Sequence, residues 1–359
     1  MKNNFVLLKS IFLSRIKKTP YKLNFSITSG CNSLCLTCNT GRNFRSNPLI
    51  VNQDLSLGEI EKIFHNLPKS ISWLSLSGGE PFLRSDLEEI IKIAAKKIRN
   101  LCLISIPSNG LLTISTIKKV KKILKQNQDI DFFINFSIDG PEKIHNKIRG
   151  VTGFTKVWKT YSEIHKLKSI FKNLDVGIET TISKYNVDYL KKFFESKKFS
   201  EHKITITIAH QGYLYKNKNI YDNFQLCNSQ SELNKVSEIL KIIYKNLRII
   251  NPADLIEFFY LKKIISFLRN GVTPLPCDAL TSSIAIDPQG NVIPCFMWNK
   301  KISNLRNNNY DLEKILELSL LKNLRTKIQK SKCPNCWTPC EAYQSIIKQI
   351  ISMNFLKLF

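Results

Sequence analysis

The chain has 359 residues, 43% of them hydrophobic, enough to bury a sizeable core in one large or two medium domains and too apolar for wholesale disorder. Lys plus Arg number 54 against 28 Asp plus Glu, a net charge of +26 that would suit an anionic membrane or nucleic acid. Yet 44 of the cations are Lys and only 10 are Arg, and no compact Arg-rich block with interleaved aromatics occurs, so a solvated Lys-rich surface is the first reading and nucleic acid is disfavoured.

Residues 1–20 form the first unit. Within it 3–18 predict an amphipathic helix, because Val6, Leu7, Ile11, Leu13 and Ile16 do not alternate as a strand would. Lys9, Arg15, Lys17 and Lys18 give it a basic side, and Pro20 ends it. Such a helix caps the end of a barrel or lies peripherally on a membrane. Lys9 interrupts its apolar run and no small-residue cleavage site follows, so it does not read as a signal peptide. No run of 18 or more apolar residues predicts a transmembrane helix anywhere.

From 21 to 217 strand and helix alternate. Strands are predicted at 22–28, 71–77, 101–106, 131–138, 174–182 and 203–210, with helices at 56–66, 86–99, 113–126, 153–170 and 186–196. This order argues parallel pairing with crossover helices, an α/β class in which chemistry sits at the C-terminal ends of the strands. Several motifs fall at such ends. Cys31, Cys35 and Cys38 follow the first strand, Gly78-Gly79-Glu80 the second, Asn109 the third, and Ser137 opens Ser-Ile-Asp-Gly-Pro at the end of the fourth.

Thiolates at the spacing of Cys31, Cys35 and Cys38 can converge on one metal centre. Structural zinc takes four protein ligands and an iron–sulfur cube usually takes four cysteines, so three suggest a cluster with one iron left open. The helical stretch 218–275 comes next, with apolar residues at helical spacing over 231–247 and 252–268. Beyond it, 283–295 reads as a hairpin turning at Asp287-Pro288-Gln289-Gly290, and a helix is expected near 311–328. Five more cysteines lie in this part, Cys277, Cys295, Cys333, Cys336 and Cys340. The final unit, 342–359, is apolar and basic again. Of ten cysteines in all, eight are thus grouped or hairpin-spaced, which suits metal in a reducing cytoplasm better than secreted disulfides. Cys102 reads as an inert core thiol.

The Cys-x3-Cys-x2-Cys loop and the motifs that follow it in order resemble the radical S-adenosylmethionine (SAM) superfamily. The resemblance implies a partial (β/α)6 TIM-like barrel, with a [4Fe–4S] cluster whose open iron is chelated by the methionine part of SAM. One electron then cleaves the sulfonium to a 5′-deoxyadenosyl radical that abstracts hydrogen from the substrate. By the same resemblance Gly78, Gly79 and Glu80 would meet the SAM amino group, Ser137 and Arg149 its ribose and carboxylate, and Asn109 the cofactor or only the third strand. An aromatic often stands before the third cysteine in that family, where this chain has Thr37.

The downstream cysteines resemble the SPASM domain or its shorter "twitch" form, with Gly290-x4-Cys295 as the hairpin signature. That likeness implies a small C-terminal α+β domain over 276–341 and one auxiliary [4Fe–4S] cluster. Four of the five thiols would serve, Cys277, Cys295, Cys333 and Cys336 being favoured and Cys340 spare or exchanging; a zinc ribbon is the rival. Expected partners are an unidentified substrate (a peptide, a small sugar-like molecule or a lipid-linked precursor) and a flavodoxin- or ferredoxin-like electron donor. Glu179, Thr181, His210, Gln211, Tyr213 and Tyr215 are candidates to line the substrate site. The competing reading is a basic iron–sulfur protein for electron transfer or nucleic-acid binding, without radical chemistry.

Overall fold

The structure, a computed structural model, describes residues 2–196, 199, 202–215, 217, 225–226, 229–247 and 249–352. Cys227 and 353–359, the end of the expected C-terminal helix, lie outside the described residues.

Six strands alternate apolar and polar side chains and pair in parallel in the order β6-β5-β4-β3-β2-β1. They are β1 (Lys22–Ser26), β2 (Trp73–Ser77), β3 (Leu103–Ser108), β4 (Asp131–Ser137), β5 (Leu174–Ile182) and β6 (Ile204–Ile208). All six predicted strands are therefore present, paired in parallel as their alternation with helices argued and forming the partial barrel that the family resemblance implied. On β2, Leu74 and Leu76 are fully buried while Trp73, Ser75 and Ser77 line an internal cavity. Burying each such leucine is worth about 1.5–3 kcal/mol, so the register that sends apolar residues outward to the helices is strongly fixed.

The described helices are α1 (Lys2–Lys17), α2 (Thr40–Ser46), α3 (Leu57–His65), α4 (Leu87–Lys97), α5 (Thr113–Gln126), α6 (Glu142–Arg149), α7 (Phe154–Lys166), α8 (Val187–Glu195), α9 (Gln230–Asn246), α10 (Pro252–Asn270), α11 (Leu312–Leu316), α12 (Leu320–Gln329) and α13 (Pro339–Ile351). Local chemistry sets their ends. Ser56 and Glu59 form a reciprocal capping box on α3. Asn251, Pro252 and Asp254 start α10, and Gly271 ends it at φ +63°. The expected helix near 311–328 is two, α11 and α12. The short helices α2 and α6 were not anticipated; each is under three turns and carries too few apolar residues to show a period.

The C-terminal hairpin is present as β7 (Ser283–Ile286) and β8 (Asn291–Ile293), but it does not build a separate sheet. β7 pairs in parallel with β1, Lys22 facing Ser283, and β9 (Ser303–Asn304) completes one sheet of nine strands. The gap in the barrel is filled by α13 and α10: Asn24 Nδ2 donates to Glu341 Oε1 (3.1 Å), Ser283 Oγ to Glu341 Oε2 (2.5 Å), and the Tyr343 hydroxyl to Glu257.

Candidate functional site

The loop that carries Cys31, Cys35 and Cys38 is tied down on every side. Asn109, at the end of β3, donates through Nδ2 to Asn32 Oδ1 (2.7 Å) and Ser33 Oγ (3.1 Å). The backbone N–H groups of Leu34 and Leu36 donate to the last carbonyls of α6, those of Arg149 and Ile148 (2.8 Å each). Asn217 donates to the carbonyls of Thr37 (2.8 Å) and His210 (2.9 Å). The turn of the β7–β8 hairpin reaches the same loop, Gln289 Nε2 donating to Ser29 Oγ at 2.8 Å.

Gly79 is required for this closeness. A Cβ there would lie 2.0 Å from the Gly30 carbonyl oxygen, and the N–H of Glu80 donates to that carbonyl at 2.8 Å. The Glu80 carboxyl is buried and accepts from the N–H of Asn109 (2.7 Å), the N–H of Phe82 (3.1 Å) and Ser108 Oγ (2.9 Å). Burial pushes it up to about 7, against those hydrogen bonds and the Arg149 charge. Glu80 thus couples the glycine turn to the end of β3.

Arg149, at the end of α6, is a half-buried cation of the site, its side chain 16% exposed. Its Nε stands 2.6 Å from Asp139 Oδ2, and its Nη1 donates to Cys35 Sγ at 3.8 Å. Burial pushes the Cys31 and Cys35 thiols up; neighbouring thiols push both further, and Arg149 pulls Cys35 back. Among the described residues no three His, Cys, Asp or Glu side chains close on one point as ligands of a single ion do. A four-iron cube is wider than one ion, and its thiolates stand apart around it. The donor set fits such a core: three half-buried thiols on one loop fixed by its neighbours, one of them beside a guanidinium. Core metal takes the place of the thiol protons, as it does wherever cysteine ligates.

One cavity of about 330 Å³ holds these groups. Cys31, Cys35, Cys38, Gly78, Gly79, Glu80, Asn109, Ser137 and Arg149 all line it, so every residue expected at the first cluster and the SAM site opens on one space. Of the substrate-site candidates, Glu179, Thr181, His210 and Tyr215 line it, while Gln211 and Tyr213 do not. Tyr213 is instead drawn to the hairpin, its hydroxyl donating to Asp287 Oδ2 at 3.0 Å. His210 Nε2 accepts from the Trp337 N–H (3.4 Å), and burial pushes its pKa down to about 4. It is neutral at physiological pH and joins the end of β6 to the cysteine segment before α13.

Cys277, Cys295 and Cys336 are half-buried, each thiol pushed up first by desolvation, and Cys336 is further opposed by Cys295, Cys277 and Cys340. Cys333 adjoins Cys277. Trp337 beside them is fully buried, stacks on Tyr260 with ring centroids 5.7 Å apart and donates through Nε1 to the Tyr260 carbonyl (2.9 Å). Of the five C-terminal thiols only Cys340 lines the cavity. Its carbonyl accepts from Lys22 Nζ (2.9 Å), and Lys22 lies over the Trp73 ring, 4.1 Å from its centroid. Cys102 is a core thiol as expected, with Sγ donating to the Ser72 carbonyl (3.3 Å).

Sequence reasoning missed Lys22, Asn24, Glu341, Tyr343 and Glu257. A signal existed for two of them: Lys22 and Asn24 alternate with Leu23 and Phe25 along the first strand, which points polar groups into the barrel.

A family model described as the Radical SAM superfamily matches residues 25–209, and the SPASM model, described as an iron–sulfur cluster-binding domain, matches 277–340. A probable GTP 3′,8-cyclase of Methanococcus aeolicus is 38% identical over 101 residues, 28% of this chain and 32% of that protein. A cysteine-type anaerobic sulfatase-maturating enzyme of Clostridium perfringens is 26% identical over 287 residues, 75% of this chain and 72% of that one. The chain covers between 32% and 48% of the length of the first curated relatives it matches. Among solved structures, native anSMEcpe with bound AdoMet and Cp18Cys peptide superposes with a TM-score of 0.58 at 16% identity, covering 94% of this chain and 98% of that one.

Proposed function

The chain belongs to the radical SAM superfamily, and we propose that it cleaves SAM reductively at a [4Fe–4S] cluster held by Cys31, Cys35 and Cys38, aided by one auxiliary [4Fe–4S] cluster in its C-terminal part. The observation that carries this reading is the single cavity lined at one end by those three cysteines and elsewhere by Cys340, with the SAM-site candidates beside them. When bound, the first cluster and SAM supply one-electron cleavage to a 5′-deoxyadenosyl radical; the chain supplies position and shelter. The backbone of Gly78 and Gly79 meets the SAM amino group, with Glu80 holding that backbone in place. Arg149 pairs the SAM carboxylate, Ser137 meets the ribose, and Asn109 fixes the loop beside them.

Cys277, Cys295, Cys333 and Cys336 hold the auxiliary cluster, and Cys340 faces the substrate. The lumen between offers Ser75, Ser105, Asn135, Thr181, Thr205 and Thr207, with Asn135 Oδ1 and Ser77 Oγ buried and unpartnered. A wall of hydroxyls and amides suits a polar, uncharged part of a substrate. A peptide side chain is favoured, because the structure similar over nearly the whole chain carries a peptide. Glu179, a carboxyl raised by burial, lines the same cavity and would serve as a proton acceptor there. The electron comes from a flavodoxin- or ferredoxin-like donor, and the +26 charge complements an acidic one. The thiol groups call for a reducing compartment such as the cytoplasm; no described helix is long and apolar enough to cross a membrane.

The test is direct. Reconstituted, dithionite-reduced protein should form 5′-deoxyadenosine from SAM, and Cys35→Ala should form none. Equal traces from both proteins would refute the reading and return the chain to the electron-transfer class.

A further inference from the structure

Helix α1 has two opposite faces, and only one is covered. Ser10, Ile11 and Ser14 are buried, at 4%, 5% and 0% exposure, and Ser14 Oγ donates to the Thr281 carbonyl at 3.2 Å. Asn3 and Val6 share a crevice with Leu101, Cys102, Asn127 and Ile130, the residues just before β3 and β4. This face therefore sits on the N-terminal ends of the strands, the end opposite the cysteine loop. The other face carries Phe5, Leu8, Phe12 and Ile16, exposed by 70%, 58%, 57% and 64%. At about 100° per residue these four fall within about 80° of the helix circumference. They make one stripe rather than scattered surface residues, and a contiguous stripe of that kind marks a contact.

Charge chooses what the stripe contacts. Lys9 and Arg15 lie on either side of it, Lys17 and Lys18 follow, and residues 1–20 contain no Asp or Glu. At the far end of the chain, 342–359 again hold lysines without an acid, and Arg15 Nη1 donates to the Lys348 carbonyl of α13 at 3.5 Å. Helix α1 and the acid-free described stretch 342–352 thus meet on one side of a molecule of net charge +26. A second copy laid on this face would set cation against cation. Nucleic acid would pair the cations and leave the phenylalanines in water. An anionic bilayer satisfies both, taking the stripe between its acyl chains while its headgroups meet the flanking cations.

We propose that α1 docks the protein in-plane on an anionic lipid surface through Phe5, Leu8, Phe12 and Ile16, ringed by Lys9, Arg15, Lys17 and Lys18. The cysteine loop stays at the far end of the barrel, so docking and SAM cleavage are separable.

The test uses the full-length holoprotein and extruded vesicles of phosphatidylcholine with or without phosphatidylglycerol. Co-sedimentation should show binding to the anionic vesicles about tenfold tighter, or more, than to phosphatidylcholine alone, and weakening with salt. The double variant Phe5→Ser/Phe12→Ser should lose about tenfold or more of that affinity with iron content and 5′-deoxyadenosine formation unchanged. Lys9→Gln/Lys17→Gln/Lys18→Gln should weaken binding to anionic vesicles and leave phosphatidylcholine binding as it was. Equal vesicle binding by wild type and the Phe variant, or no binding by either, overturns the proposal. So does a concentration-dependent dimer, seen by light scattering without lipid, that the Phe substitutions dissociate.

Discussion

Cys340 and Cys333 compete for one place at the auxiliary cluster, and their surroundings separate them. Cys340 lines the barrel cavity while Cys333 does not. Cys340→Ala should therefore keep about eight irons per chain, two four-iron cubes, and lose turnover, whereas Cys333→Ala should fall towards about four. Iron and sulfide analysis of the two purified variants decides it, and the reverse pattern would move Cys340 into the ligand set. Glu257 gives a second prediction. It is buried against the Tyr343 hydroxyl, and burial pushes its carboxyl up to about 7 from an ordinary 4.5. A carboxyl raised on folding stabilises the fold below its unfolded pKa, and that contribution is lost as pH rises through about 4.5 to about 7. Glu257→Gln should flatten this part of the stability profile, by up to about 3 kcal/mol at pH 8 relative to pH 4. Thermal melts across that range for wild type and variant measure it. Residues of this kind were the least legible in the sequence. A carboxyl on a helix such as α10 shows no sign of being buried until the neighbour that buries it, here Tyr343 of α13, 86 positions later, is in place.

Elements were more legible than their contacts. The six barrel strands could be read because each alternates, and alternation in a parallel sheet already says that one face is not packed by helices. In Trp73-Leu74-Ser75-Leu76-Ser77 the polar set lines the cavity, so the pattern that revealed the strand also revealed a polar lumen. What the pattern could not carry is the seam between loops. Gly78 and Gly79 can be read as glycines near a ligand, yet their nearest neighbours are Thr28 and Gly30 of the cysteine loop. Gly79→Ala would force a Cβ to 2.0 Å from a backbone oxygen and part the two loops. The variant should fold, with far-ultraviolet circular dichroism unchanged. It should load less of the first cluster and lose SAM cleavage by about a hundredfold, as a misplacement of about 1 Å does in a preorganised site. Wild-type cleavage would show that the glycine only eases a turn.

At the scale of the whole molecule, the sequence suggested a barrel, a linker and a cluster domain in series. Strand pairing is what it could not display, because β1 and β7 are separated by about 260 positions and either would serve as an edge. Their pairing, Lys22 to Ser283 through Phe25 to Ile286, makes the auxiliary cysteines an extension of the sheet that carries the first cysteine loop. Glu341 then binds Asn24 of β1 and Ser283 of β7 together, and the Lys22 ammonium reaches the carbonyl of Cys340. Domains that share a sheet and a buried polar network have no independent surface along which to part. The holoprotein should therefore unfold in one transition, with ellipticity at 222 nm and cluster absorbance near 400 nm lost together within about 2 °C. Cys336→Ala, which removes a proposed auxiliary ligand remote from β1 in sequence, should lower that single midpoint rather than split it. Two separated transitions, with the barrel outlasting the auxiliary part, would mean that the β1–β7 seam is too weak to couple them. The same coupling bears on mechanism, since β1 runs about 13 Å from Lys22, which reaches the Cys340 carbonyl, to Ser26, just before the first cysteine loop. A substrate held between them would meet a fixed geometry rather than a hinge.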